Sequence, residues 1–343
     1  MLTASYLGNN EIAIRTAEPQ PPEPGQVQVE VAYAGICGTD LHVLQGEMDA
    51  RVTPPAILGH EMSGVVAALG EGVTGWGVGD HVTVVPLTWD GACPACRTGH
   101  EHVCHHLRVS GVDSPGALQR LWNVRADQLV ALPPDLRLDH GALVEPTAVA
   151  VHDVRRAELA AGDRAVVLGG GPIGVLIAAV VQHDGADVVI VEIDPQRRAY
   201  VEAMGFAVLD PTVVDLPSWV ADWTGGAGAD VVFEVSGAAA AVLAATDLVK
   251  VRGTVVVVAI HAEPRPVDLH RVFLRELRMV GARVYTRSDF ERAVELLTAG
   301  VVPADGLITH IAPLTATVDA FGALQSGQQM KVLIDLSHDG AQS

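Results

Sequence analysis

The sequence predicts an α/β plus β chain: an all-β, barrel-like unit over residues 1–150, followed by a doubly wound parallel sheet covered by helices. Three observations carry this. The chain has 343 residues, and a single hydrophobic core rarely grows that large, so two domains are expected. The first third consists of short valine-laden runs punctuated by Gly and Pro, the pattern of an antiparallel β unit. Near Ala160 continuous Val/Ile runs begin to alternate with helical segments, which marks a parallel sheet buried on both faces.

In chain order, residues 27–34 alternate well enough for a strand, and 57–70 and 81–86 read as further strands with glycine turns at 70–72 and 75–79. Residues 164–168 form a short buried strand, 169–174 a glycine turn, 175–183 an apolar helix and 188–191 a second buried strand. A helix over 195–204 opens with proline in its first turn. Two more buried strands follow at 231–235 and 254–259. After Ser288 come a helix to Ala299, a strand near Ile308, a helix over 316–326 and a last strand over 331–336. The tail from 337 is expected to fray. There is no tandem repeat and no low-complexity segment.

The formal net charge is -19, which argues against nucleic acid and against anionic membrane surfaces as partners. No secretory leader and no uninterrupted apolar run of about 18 residues is read in the sequence. Four cysteines in the whole chain do not make a disulfide scaffold, and three of them stand at metal-ligand spacing. This fits a reducing compartment, and the cytoplasm is the expected location.

Gly169-Gly170-Gly171-Pro172-Ile173-Gly174 fits the G-x-G-x-x-G pattern. It follows a strand, opens a helix and is followed by Glu192 at the end of the next strand, the context of a dinucleotide site. Small residues let the backbone approach a pyrophosphate, and the helix N-terminus offers it N–H groups and the positive end of the dipole. Glu192 can accept hydrogen bonds from ribose hydroxyls and would repel a 2′-phosphate, which favours NAD over NADP. Arg197 and Arg198 nearby pull the other way.

Cys37, in a segment that ends at His42, with His60 and Glu61 offers thiolate, imidazole and carboxylate donors suited to Zn²⁺, and three such ligands plus an open position make a catalytic site. Cys93, Cys96 and Cys104 form a second group at zinc spacing.

Cys37-Gly38-Thr39-Asp40-Leu41-His42, Gly59-His60-Glu61, Glu145-Pro146, the glycine turn and Phe233-Glu234-Val235-Ser236-Gly237 together resemble the zinc-dependent medium-chain alcohol dehydrogenase family. The match runs in order along almost the whole chain, and it looks like the branch of sorbitol, 2,3-butanediol and threonine dehydrogenases. The resemblance implies a GroES-like catalytic barrel (1–150), a Rossmann NAD domain (151–287) and a return to the catalytic domain (288–343). It implies a catalytic zinc on Cys37, His60 and Glu145, with Glu61 as an alternating or fourth ligand. Thr39 and His42 match the family's proton relay. Lys331, in Gln329-Met330-Lys331, matches a basic residue that approaches the NAD pyrophosphate. In the structural-zinc lobe Asp90 stands where the family has a fourth cysteine, and His102, His105 and His106 are possible substitutes.

The implied reaction is hydride transfer between NAD and a small secondary alcohol or its ketone: a vicinal diol, hydroxyketone or polyol. Residues 285–290 resemble butanediol dehydrogenases, Val284 replaces an arginine of sorbitol dehydrogenases, and 111–116 look more like threonine dehydrogenases. L-Threonine 3-dehydrogenase-like and cyclitol or sugar-alcohol activities are alternatives, and a non-catalytic zinc and dinucleotide binder is an alternative of another class. Aromatic residues are only 4%, which speaks against a stacked aryl pocket. A homodimer or homotetramer is expected.

Overall fold

A computed structural model describes residues 1–337. Ten strands come first: β1 (Leu2–Gly8), β2 (Glu11–Thr16), β3 (Gln26–Gly35), β4 (Ala56–Ile57), β5 (Glu61–Leu69), β6 (His81–Val84), β7 (Leu87–Thr88), β8 (Arg108–Val109), β9 (Leu121–Arg125) and β10 (Leu129–Ala131). The parallel strands follow: β11 (Arg164–Leu168), β12 (Asp187–Val191), β13 (Val208–Leu209), β14 (Ala229–Glu234), β15 (Val249–Val257) and β16 (Arg278–Gly281). Two strands close the chain, β17 (Ile308–Pro313) and β18 (Lys331–Asp335).

The chain divides into two compact units, one of residues 1–145, 286–300 and 307 onward, the other of 146–285 and 301–306. The boundary falls inside the helix Val144–Ala157, five residues before the expected one, so Glu145 is the last residue of its segment of the first unit. The closing tail, expected to fray, lies outside the described residues from 338 on.

In the first unit β10-β6-β5-β3-β18-β17 form one sheet, with β9 also pairing β3, and β2-β1-β4 form a smaller one. Over 26–31 β3 buries alternate residues, as a strand with one face on a core must. That core collects Tyr6, Val29, Met62, Leu118, Leu129, Phe321 and Ile334. The close approach of β3 and β5 requires Gly64, where an added Cβ would lie 2.3 Å from the Glu30 carbonyl oxygen. β18 is inserted between β3 and β17, antiparallel to the first and parallel to the second, so the end of the chain completes a sheet begun by residue 26.

In the second unit six parallel strands run in the order β13-β12-β11-β14-β15-β16. The order reverses between β11 and β14, and ligands of open α/β sheets bind in the crevice at the carboxyl ends of strands at such a point. The helix Pro172–His183 buries every residue from 174 to 181, as a helix that is apolar all round must.

Three local departures from the sequence reading have physical causes. The single strand expected over 57–70 is broken: Leu58, Gly59 and His60 leave the ladder. Gly59 adopts φ +92°, open to a residue without Cβ, and the break places His60 at the head of β5. β15 begins at Val249 rather than 254, because an irregularity between the Ala229 and Val231 pairings absorbs residues including Arg252 at φ +60°. The β1–β2 hairpin was not anticipated. Its signal was Asn9-Asn10, both at positive φ, which asparagine tolerates in tight hairpin turns.

Candidate metal centre and dinucleotide site

Cys37 caps the short helix Gly38–Leu44 as the chain leaves β3. Asp40, three residues on and fully buried, accepts the Cys37 N–H at Oδ2 (2.9 Å) and the Gly59 N–H at Oδ1 (3.3 Å). Its Oδ1 is 3.7 Å from His60 Nδ1. One carboxylate therefore pins both segments that carry Cys37 and His60. The sequence reading passed over Asp40, although its place three residues after a helix cap is the capping-box position.

Ligand atoms of Cys37, His60 and Glu61 lie within 4.8 Å of one another. Glu61 faces Gly35 across the β3–β5 ladder, and a Cβ on Gly35 would be 2.1 Å from Glu61 Oε2, so the glycine leaves room for the carboxylate. Glu145 is 7% exposed, in the first turn of its helix. It stands outside the 4.8 Å group but is near enough for its charge to act on His60 and Lys331.

Lys331 departs from the role carried over to it. Its Nζ is buried, donating to Glu61 Oε2 (2.7 Å), Glu61 Oε1 (2.8 Å) and the Ile36 carbonyl (3.3 Å). As the first residue of β18 it is carried into the first unit, where a carboxylate neutralises it. Here its charge compensates Glu61.

Burial opposes charge on His60, but Asp40, Cys37 and Glu145 outweigh it and hold its pKa well above the imidazole range. Burial likewise works against Lys331 and is outweighed by Glu61, Cys37 and Glu145, so its pKa is raised. Burial raises Asp40 in turn, with His60 pulling the other way. The pocket is cation-seeking, and its mixture of thiol, imidazole and carboxylates fits Zn²⁺.

Thr39 Oγ1 lies 3.8 Å from Cys37 Sγ. His42, one turn further along the same helix, places Nδ1 2.6 Å from Glu47 Oε2 at the surface. Thr39 and His42 thus lead outward from the cluster, and Glu47 is a further member that no motif announced.

Asp90, Cys93, Cys96 and Cys104 form the second group, with four donors. Cys93 Sγ lies 3.5 Å from Cys96 Sγ and 3.8 Å from Cys104 Sγ, and Zn–S bonds of 2.3 Å in a tetrahedron put sulfurs roughly 3.8 Å apart. The Cys96 and His105 N–H groups pull the Cys93 thiol down to about 7. Burial and neighbouring thiols push Cys96 up to about 12. Asp90 Oδ1 accepts the Ala92 and Cys93 N–H groups (2.8 and 2.9 Å), and Oδ2 is 2.5 Å from His106 Nδ1. His106 therefore orients Asp90, while His102 and His105 fall outside the four-donor group.

In the second unit the glycine turn fits a dinucleotide phosphate. A Cβ on Gly174 would lie 1.9 Å from the Gly169 carbonyl oxygen, whereas one on Gly171 would meet nothing within 4 Å. The loop is thus tight where the helix packs and open at the cap of Pro172–His183, with Pro172 and Ile173 in its first turn. Glu192 sits beside this loop: Oε2 accepts the Gly170 N–H and Oε1 the Asp194 N–H, both at 2.8 Å. The acidic residue read as a ribose acceptor thus also braces the loop. Arg198 is committed to the Glu192 and Ile193 carbonyls and to Asp210. The Arg197 backbone N–H completes the cap by Asp194.

Residues 23–134 match the family described as alcohol dehydrogenase GroES-like domain, and 172–299 match zinc-binding dehydrogenase. The chain is 45% identical to 2-dehydro-3-deoxy-L-galactonate 5-dehydrogenase of Pseudoalteromonas atlantica, over 98% of both chains. It is 33% identical to sorbitol dehydrogenase of Halalkalibacterium halodurans, over 97% of this chain and 98% of that one. The crystal structure of 2R,3R-butanediol dehydrogenase from Bacillus subtilis superposes with a TM-score of 0.90 at 32% identity, covering 97% of this chain and 99% of that one.

The Lys331–Glu61 pair yields a stability test. In chelator-treated protein, Lys331→Met leaves a buried carboxylate without its cation, a change that costs about 3–5 kcal/mol. Adding Glu61→Gln removes that charge and restores most of the loss. Urea unfolding midpoints of the two variants measure it. An unchanged midpoint in Lys331→Met shows that the pair is not structural.

Proposed function

The chain belongs to the zinc-dependent medium-chain alcohol dehydrogenase family, and from that premise we propose that it transfers hydride between NAD and the carbon bearing a secondary hydroxyl of a small polyhydroxylated substrate, sugar acids first. Its two units are a GroES-like domain and a Rossmann-type parallel sheet. The observation that carries the reading is the gathering of ligand atoms of Cys37, His60 and Glu61 within 4.8 Å of one another, with buried Glu145 beside them. The 45% identity to a sugar-acid dehydrogenase over 98% of both chains supports trying sugar acids ahead of neutral diols and polyols.

Cys37, His60 and Glu145 would hold the zinc, and Glu61, released from Lys331, would exchange onto it. When bound, zinc supplies the Lewis acidity that lowers the pKa of a hydroxyl, and NAD accepts the hydride. The protein's own part is positioning and proton transfer. Thr39 Oγ1 accepts the hydroxyl proton as it passes its own on toward His42, whose imidazole delivers a proton to the surface, where Glu47 supports it. Glu192 disfavours a 2′-phosphate, so NAD is the preferred cofactor.

The second zinc would sit on Asp90, Cys93, Cys96 and Cys104 and contribute folding free energy. Three buried thiols reserved for a metal suit the cytoplasm. None of the helices among the described residues is long and apolar enough to cross a membrane. A homodimer is favoured by the outer strand β16. Met279 on it and Leu269, Phe273 and Leu274 of the preceding helix are exposed, and an open edge beside apolar side chains invites a second copy.

Three measurements test this reading. NAD reduction should be fastest with a galactonate-type sugar acid and slower with 2,3-butanediol or sorbitol, and NADP should be reduced more slowly than NAD; no turnover across the panel defeats it. Zinc analysis should give about two ions per chain, falling to about one in both Cys37→Ser and Asp90→Ala. Cys37→Ser loses nearly all turnover but keeps NADH binding, whereas Asp90→Ala mainly lowers Tm. About one ion in both wild type and Asp90→Ala means an empty lobe. Light scattering should give a dimer that Phe273→Glu dissociates, and a wild-type monomer would contradict the interface.

A further inference from the structure

Phe233-Glu234-Val235-Ser236-Gly237 takes no part in the chemistry above, yet it ends β14 at the edge where the strand order reverses. Glu234 is 1% exposed, and a carboxylate so buried needs partners. Its Oε1 accepts Ser236 N–H (3.1 Å), Ser236 Oγ–H (2.9 Å) and Gly237 N–H (2.8 Å). Its carbonyl accepts Val258 N–H (2.9 Å) and Ala259 N–H (3.1 Å). Its Oε2 lies 3.1 Å from His261 Nε2, an ion-pair contact rather than a formed hydrogen bond.

Glu234 thereby fastens the turn after β14 to the segment after β15. The two touch: a Cβ on Gly237 would lie 3.7 Å from Ala259 Cβ. The first turn also packs on the dinucleotide loop, since a Cβ on Gly169 would lie 3.1 Å from Ser236 N. A doubly wound sheet holds one mononucleotide over each half. Glu192 marks the half of β11, β12 and β13, so the other mononucleotide lies over β14, β15 and β16. There His261 Nδ1 is buried and has no hydrogen-bond partner among the described residues, and a buried polar atom of this kind calls for a ligand or another partner.

We infer that Glu234 and His261 clamp the nicotinamide-side mononucleotide: Glu234 anchors the imidazole through Nε2, and Nδ1 hydrogen-bonds a polar group of that half. Glu234 is a positioning residue, and His261 makes the contact. The inference rests on the NAD reading above and names the residue that discriminates NADH from its adenine half.

The test is binding, read without turnover. NADH is titrated by fluorescence, and ADP and ADP-ribose by its displacement, on wild type, His261→Ala, His261→Gln and Ile260→Ala, with Tm measured for each. His261→Ala should weaken NADH roughly tenfold while ADP stays within about twofold. His261→Gln, which keeps a polar group, should recover part of the loss, and its ratio of NADH to ADP affinity decides the matter if the alanine variant does not fold. Ile260→Ala, on an exposed neighbour, should change neither. A loss shared by ADP-ribose places the contact on the second ribose; a loss confined to NADH places it on the nicotinamide. Equal losses for NADH and ADP, or none, overturn the clamp. A wild-type protein that binds neither nucleotide overturns the NAD reading itself.

Discussion

The buried ion pair of Lys331 and Glu61 is the constraint on which the first unit's site depends. Two charges removed from water are expensive, and their attraction compensates only with good geometry and further hydrogen bonds. Here the ammonium reaches both carboxylate oxygens and the Ile36 carbonyl. Replacing both members of such a pair by apolar residues is often neutral, whereas removing one partner alone is strongly destabilising. A one-residue slip of β18 would turn Lys331 to the opposite face and leave Glu61 uncompensated. The pair therefore fixes how the last strand enters beside β3, and it holds Glu61 at the edge of the cluster.

Around that pair the pocket is made by negative groups and by absent side chains. Asp40 organises Cys37 and His60 from behind, the outer-shell support that orients metal ligands. Gly35 supplies the volume Glu61 occupies. The raised pKa values of His60 and Lys331 express one field: thiol and carboxylates gathered where water is scarce, stabilising any cation that enters.

The second unit applies the same economy to an anion. Gly171 leaves space at a helix N-terminus, Gly174 lets the helix pack on its own loop, and Glu192 ties the loop to β12. Glu234 does for the turn after β14 what Glu192 does for the glycine loop: each is a buried carboxylate at a strand end holding backbone N–H groups.

The sequence by itself determined the parts whose chemistry is local. The glycine loop between a strand and a helix, the thiols at 93, 96 and 104, the Cys37 and His60 segments and the run of parallel strands are all readable, because spacing along the chain sets which groups a turn or strand presents. Tertiary structure decided the rest. Lys331 meets Glu61 across 270 residues, and no local pattern shows whether a lysine in a last strand faces a phosphate or a carboxylate. Asp40 became a central group only because the break at Gly59 brought a second N–H and an imidazole to it. The resemblance ranks Glu145 as a ligand and Glu61 as an alternating one, whereas packing set Glu61 inside the 4.8 Å group and Glu145 beside it. His106 and Asp90, 16 residues apart, met because the lobe folds back on itself. In each case the deciding contact is between residues far apart in the chain, and burial gives such contacts their energy.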